Sequence, residues 1–144
     1  MELARRELGL LLPLIAAARA GAQQGQPSAT LPSRVYHDKQ IPYTGDETKK
    51  GRRFFYGTNR SGFRLEMHET ILGPGTATHA PHKHVHEEIV IVTEGLVEAY
   101  IEGKTETMEP GSVVYFASND MHSARNIGST PSRYYVIELR GDES

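Results

Sequence analysis

Four of the seven histidines fall between positions 79 and 86: His79, His82, His84 and His86, followed at once by Glu87 and Glu88. Imidazole nitrogens and carboxylate oxygens are the donors that hold divalent transition metals. Residues two apart on a strand share a face, so on a strand His82 and His84 project together, with Glu88 on the same side four positions further on. His86 has the parity of His84, and spacing alone leaves it in play. Glu87 has the opposite parity and is expected to face away. A further histidine, His122, follows a strand pattern and a turn. Three imidazoles and one carboxylate would leave open positions on a divalent ion for water or substrate. His37 and His79 stand in no ligand spacing and read as ordinary exposed or hydrogen-bonded side chains.

Other chemistries are excluded by what the chain lacks. It has no cysteine, which removes disulfides, thiol catalysis, Cys-ligated zinc and iron–sulfur clusters together. No Ser–His–Asp pattern and no phosphate loop is present. The 144 residues carry 16 basic and 18 acidic side chains, a formal net charge of −2, which argues against a nucleic-acid binder. At 38% hydrophobic and 24% charged residues, this is ordinary globular material, enough for one core.

The elements that must position the histidines are short. After Pro32 no sustained 3.6-residue apolar period appears; apolar runs alternate with turn signals instead. Strands are expected near Phe63–Leu72, Glu88–Thr93, Leu96–Ile101, Ser112–Ala117, His122–Asn126 and Arg133–Leu139. Glu102-Gly103 marks a tight hairpin and Pro110-Gly111 a type II turn. Val35-Tyr36 and Phe54-Phe55-Tyr56 read as edge strands, separated by a charged loop from Asp46 to Arg53. Such spacing predicts an all-β antiparallel sandwich or barrel. Arg64, Glu66, His68 and Thr70 share one strand face that is too polar for a dry core. It is expected to face solvent, or else to form a pocket wall. Tyr100, Tyr115, Phe116 and Tyr135 read as core aromatics rather than a substrate platform.

The N-terminus is different material. Arg5-Arg6 precedes an apolar run from Leu8 to Ala18 and then small residues, the order of a secretory signal peptide over residues 1–22. The paired arginines resemble a twin-arginine signal. The run is too short for a membrane span, which needs about 20 residues. Export to the periplasm or beyond the cell is therefore expected. Residues 23–33 read as a flexible lead-in and 34–142 as the domain; removing residues 1–22, with Arg5, Arg6, Arg19, Glu2 and Glu7, leaves 13 basic and 16 acidic residues over 23–144.

The stretch from Gly75 through His82-Lys83-His84 and Glu88 to Gly95 resembles the first motif of the cupin superfamily: glycine, His-x-His, three residues, Glu, six residues, Gly. The spacer from Gly75 to His82 is one residue longer than usual. Gly111, His122 and Asn126 match the second motif, with Ala117 and Asn119 where proline and glycine are usual. Asn tolerates the left-handed backbone such a turn demands. The resemblance, centred on residues 63–139, implies a single cupin (double-stranded β-helix, jelly-roll) barrel. It implies one divalent transition metal (Fe, Mn, Ni, Cu or Zn) on His82, His84, Glu88 and His122. It further implies strands presenting these ligands inside the barrel, whose open end takes a small-molecule substrate or ligand. Family members include oxygenases, isomerases and lyases acting on small oxygen-rich molecules, and also non-catalytic sugar or acid binders. Arg64, Glu66, His68 and Arg125 are the catalytic candidates beyond the ligands. A homodimer is expected, since an exposed sheet edge needs cover.

Overall fold

The computed structural model describes residues 30–140. The expected signal peptide and the lead-in as far as residue 29 lie outside the described residues. Nine strands follow one 3₁₀ turn, Asp38–Gln40: β1 (Thr44–Gly45), β2 (Lys49–Thr58), β3 (Arg64–Leu72), β4 (Glu87–Glu94), β5 (Val97–Ile101), β6 (Lys104–Met108), β7 (Val113–Phe116), β8 (His122–Asn126) and β9 (Ser132–Arg140). They pair antiparallel in two sheets, one ordered β1-β2-β3-β9-β4-β7 and the other β6-β5-β8.

The turns follow from their residues. Glu102 and Gly103 both take positive φ, 45° and 85°, as a two-residue hairpin turn requires. Gly111 sits at φ 92° in a turn closed by Ser112 N–H donating to Glu109 O at 2.9 Å. Asn119 takes φ 65°, the glycine-like conformation expected of it, and Asp120 N–H closes that turn onto Ala117 O. Gly95 has φ 74°, and a Cβ there would lie 2.8 Å from Pro131 O and Ser132 Cα, so both conformation and space demand glycine.

Six expected strands are present within a residue or two of their predicted limits. Three readings change. Lys49–Arg53, expected as charged loop, forms the first half of β2, because Arg52 stands directly opposite Glu69 of β3 and pairs with that buried carboxylate. Val35-Tyr36 is not a strand; Tyr36 instead packs its ring on Phe55, centroids 5.2 Å apart. β6 (KTETM) is almost wholly exposed and lacked an apolar signal, yet the hairpin pairs it with β5 in full register. At the end of the lead-in, Thr30 bridges Thr58, and Leu31 N–H donates to Thr58 O at 2.9 Å.

Inner faces change character along their length. β4 runs Val92, Val90, Glu88; β9 runs Tyr134, Val136, Glu138; β3 runs Leu72, Thr70, His68, Glu66; β8 runs Asn126, Ala124, His122. The apolar ends form the core with Val97, Ala99, Met108 and Phe116. The polar ends gather at one mouth. Asn126, fully buried, ties the core end together: its Nδ2 donates to Leu72 O and Thr130 O, both at 2.8 Å, and its Oδ1 accepts from Gly128 N.

On the outer face Glu69 is fully buried beneath Tyr43, Arg52 and Arg133. Arg52 Nε donates to its Oε2, Tyr43 OH donates to it at 2.7 Å, and Arg133 Nη1 reaches Oε1 at 3.2 Å. Removing one member of a buried ion network leaves uncompensated charge. Glu69→Ala is expected to destabilise the protein by about 3–5 kcal/mol in urea denaturation. Gly95→Ala is expected to cost at least about 1–2 kcal/mol from its left-handed backbone alone. Wild-type midpoints for either variant would contradict these assignments.

Candidate metal centre

His82 and His84 do not sit on a regular strand. The segment after Gly75 runs beside β8 as two isolated antiparallel bridges, Ala77 with Arg125 and His82 with His122. Between the bridges four residues, 78–81, face only two, 123–124, so the longer spacer noted in the sequence is absorbed as a bulge around Pro81. That bulge sets the His79 ring edge-on to His82, centroids 3.8 Å apart. The expected strand alternation is therefore replaced by pairing: His82 N–H donates to His122 O at 3.0 Å and His122 N–H to His82 O at 2.8 Å. These reciprocal bonds place the loop ligand opposite the β8 ligand. Asn119 N–H donates to His84 O at 2.7 Å and anchors the second loop ligand to the turn before β8.

All four expected ligands come together. The ring centroids of His82, His84 and His122 lie 4.7–5.0 Å from one another. Each of these rings has its Nδ1 at a main-chain carbonyl: His82 at His122 O (3.3 Å), His84 at His86 O (2.9 Å) and His122 at Asp120 O (2.8 Å). A carbonyl only accepts, so each Nδ1 carries the proton and each Nε2 keeps its lone pair. The three can offer one donor atom each within 4.8 Å of one another. The Nε2 atoms of His84 and His122 are buried without a hydrogen-bond partner. Glu88 Oε1 lies 3.0 Å from His84 Nε2, too poorly aligned for a hydrogen bond, and Glu88 Oε2 lies 3.8 Å from His122 Nε2. Ligands at about 2.0–2.2 Å from one ion stand about 3 Å apart when adjacent, so this spacing suits a metal. Orphaned nitrogens beside a carboxylate fit an ion as they fit nothing else in the vicinity. Phe116 stacks on His122, centroids 4.4 Å apart, and fixes that ring from behind.

Burial, helped by His122 and His84 nearby, pushes His82 below the usual imidazole range. Burial does the same at His79 and His86. Neutral rings are what metal binding needs.

The other candidates separate. Arg64 is exposed, and Arg125 points outward to Glu98, 3.2 Å away, with its side chain 53% exposed. Glu66 and Thr70 are buried, and His68 and Thr70 line a cavity of about 340 Å³ that opens onto the histidines. The face expected to meet solvent is thus a cavity wall, because β3 lies in the middle of the larger sheet with its polar end at the mouth. Glu87 faces away and meets Tyr115, as expected. Tyr115 is 52% exposed rather than core, since β7 is an edge strand. His86 stacks on His84, centroids 3.4 Å apart, and its Nε2 lies 3.4 Å from Glu88 and 3.5 Å from Glu138. Sequence reasoning missed Glu138 and Tyr134, both buried at the cavity; their shared parity with Val136 was the available signal.

Three histidines with depressed pKa values set a pH dependence. Unfolded histidine takes its proton near pH 6.5, whereas His79, His82 and His86 take theirs lower. Between those values the unfolded state binds more protons, so stability rises with pH. Metal-free protein is expected to be fully stable above about pH 7 and to weaken progressively as pH falls below about 6.5. Urea midpoints unchanged from pH 7.5 to 5.5 would contradict it.

Known proteins resemble this chain in sequence and in fold. The cupin domain family model matches residues 68–138. L-ectoine synthase of Bordetella parapertussis is 36% identical over 93 residues, covering 61% of this chain and 70% of that protein. KdgF from Halomonas sp. superposes with a TM-score of 0.64 at 17% identity, covering 78% of this chain and 98% of that one. The polyketide cyclase RemF from Streptomyces resistomycificus gives 0.59 at 19% identity, covering 79% and 87%. With the family model over residues 68–138, the L-ectoine synthase relative and the antiparallel strands of the described residues, the chain belongs to the cupin superfamily.

Proposed function

We propose that this chain is a metal-dependent enzyme acting on a small oxygen-rich molecule, by oxygenase, isomerase or lyase chemistry. One divalent transition metal (Fe, Mn, Ni, Cu or Zn) would be held by His82, His84, His122 and Glu88. The observation that carries this reading is the set of three rings with Nδ1 engaged at carbonyls and two Nε2 atoms buried without partners. Such an ion supplies Lewis acidity and, for iron, copper or manganese, a redox couple. The chain's own residues do the rest. Val90, Val136 and Phe116 exclude water from the inner end of the cavity, while Thr70, Thr78 and Tyr134 offer hydroxyls to orient substrate oxygens. Burial pushes Tyr134 well up, so its hydroxyl stays protonated and can donate. Relatives named as a synthase and a cyclase favour catalysis over passive binding.

A non-catalytic binding module for sugars or organic acids is the second reading, since the same cavity would hold such a molecule without turning it over. Export to the periplasm or outside the cell, by the leader over residues 1–22, belongs to the proposal. So does a homodimer, for which the exposed Val113 and Tyr115 of edge strand β7 supply an apolar surface. Light scattering on residues 23–144 should give twice the chain mass; a monomer would contradict it.

Two results test the function. Protein purified without chelator or histidine tag should carry a transition metal that His82→Ala/His84→Ala loses. Metal-loaded protein should convert a member of a panel of hydroxy acids, enols and sugars, and the double variant should fall by more than about 100-fold, beyond the cost of losing a supporting hydrogen bond. Tight binding of a panel member without conversion would favour the binding module, and no metal uptake would overturn the centre.

A further inference from the structure

A second group of donors lies on the cavity wall beside the metal centre. Glu66 on β3 and Glu138 on β9 are direct cross-strand partners, and Glu138 in turn pairs with Glu88 on β4. Three glutamates thus stand in one rung on the inner face, their side chains only 9%, 11% and 15% exposed. Like charges directly opposite one another destabilise a sheet. Arg53 and Arg140 offset part of this from the rim, through Glu66 Oε1 at 3.0 Å and Glu138 Oε2 at 2.7 Å. Arg53 is 62% exposed, where an ion pair contributes little. Each arginine engages one oxygen, so each carboxylate has a second oxygen to offer.

His68 completes the group. Its Nδ1 is buried without a hydrogen-bond partner, 3.4 Å from Glu66 Oε1. This repeats what marks the first centre: an orphaned imidazole nitrogen held beside a carboxylate oxygen. Glu66, His68 and Glu138 can each bring one donor atom within 4.8 Å of the others. Ligands at about 2.0–2.2 Å from one ion stand up to about 4.4 Å apart, so small side-chain rotations close the set.

We infer that Glu66, His68 and Glu138 form a second site for a divalent cation, next to the centre built by His82, His84, His122 and Glu88. One imidazole beside two carboxylates favours divalent transition ions such as Fe²⁺ or Zn²⁺, and also admits the oxygen-seeking Mn²⁺, over Mg²⁺ and Ca²⁺, which prefer all-oxygen shells. A divalent ion with two carboxylates is neutral overall, which a half-buried wall tolerates. His86 Nε2, between Glu88 and Glu138, stands at the junction of the two sites.

The full mature chain, stripped of metal, would be titrated with Mn²⁺ followed by electron paramagnetic resonance. In parallel it would be loaded with Zn²⁺, desalted and counted by elemental analysis. Two equivalents are expected for the parent. His82→Ala/His84→Ala should keep one, bound through the second site. Glu138→Gln and His68→Asn, made separately, should each keep one, bound through the first, with circular dichroism showing native β structure. A parent that saturates at one equivalent, or variants at 68 and 138 that still bind two, would overturn the second site. Loss of all metal in His82→Ala/His84→Ala would also overturn it while leaving the first centre standing.

Discussion

The site depends on one short piece of main-chain pairing. The two reciprocal N–H···O bonds between His82 and His122 join the loop after Gly75 to β8, and so join the ligand loop to the three-stranded sheet. They share that task with the Ala77–Arg125 bridge and with Asn119 N–H donating to His84 O, and together these bonds hold His82 and His84 on a segment that has no regular strand of its own. The same carbonyls do a second task. His122 O accepts from both the His82 main chain and the His82 ring, so one oxygen fixes both the position and the tautomer of that ligand. Orientation of this kind raises the basicity of the ligating nitrogen and costs nothing at the moment of binding.

Around that pairing the fold works as a graded tube. Every central strand carries apolar side chains inward at one end and polar ones at the other, and the antiparallel register brings like ends together. Leu72, Val92, Val97 and Tyr134 close the core. Glu66, Glu88, Glu138 and His122 open the mouth. Register does this, because a one-residue slip would turn each strand's inner set to the outside. The buried network of Tyr43, Arg52, Glu69 and Arg133 on the outer face holds β2, β3 and β9 in step with one another.

Much of this was legible in the residues. Spacing and family resemblance singled out His82, His84, Glu88 and His122, four side chains that the fold brings together, and the conformational tolerance of asparagine pointed to the turn at Asn119. What failed did so for physical reasons. His82 and His84 share a direction through bridging to β8 and not through strand alternation, a tertiary fact no local period contains. Arg64, Glu66, His68 and Thr70 read as a solvent face or a pocket wall, because a polar cavity wall and a wet surface have the same composition; the fold exposes Arg64 and puts His68 and Thr70 on the wall. β6 carried no apolar signal because its partner is supplied by the hairpin alone. Glu138 was within reach, since it has the inward parity of Tyr134 and Val136, but a single acidic residue at the end of an apolar strand reads as an ending and not as a site.

The most direct test of the account is anomalous diffraction at the metal absorption edge on crystals of metal-loaded protein. The account predicts a peak about 2.0–2.2 Å from the Nε2 atoms of His82, His84 and His122, with Glu88 alongside and all three Nδ1 atoms still on their carbonyls. An ion bound through Nδ1, or one that leaves any of the three rings uncoordinated, would contradict it.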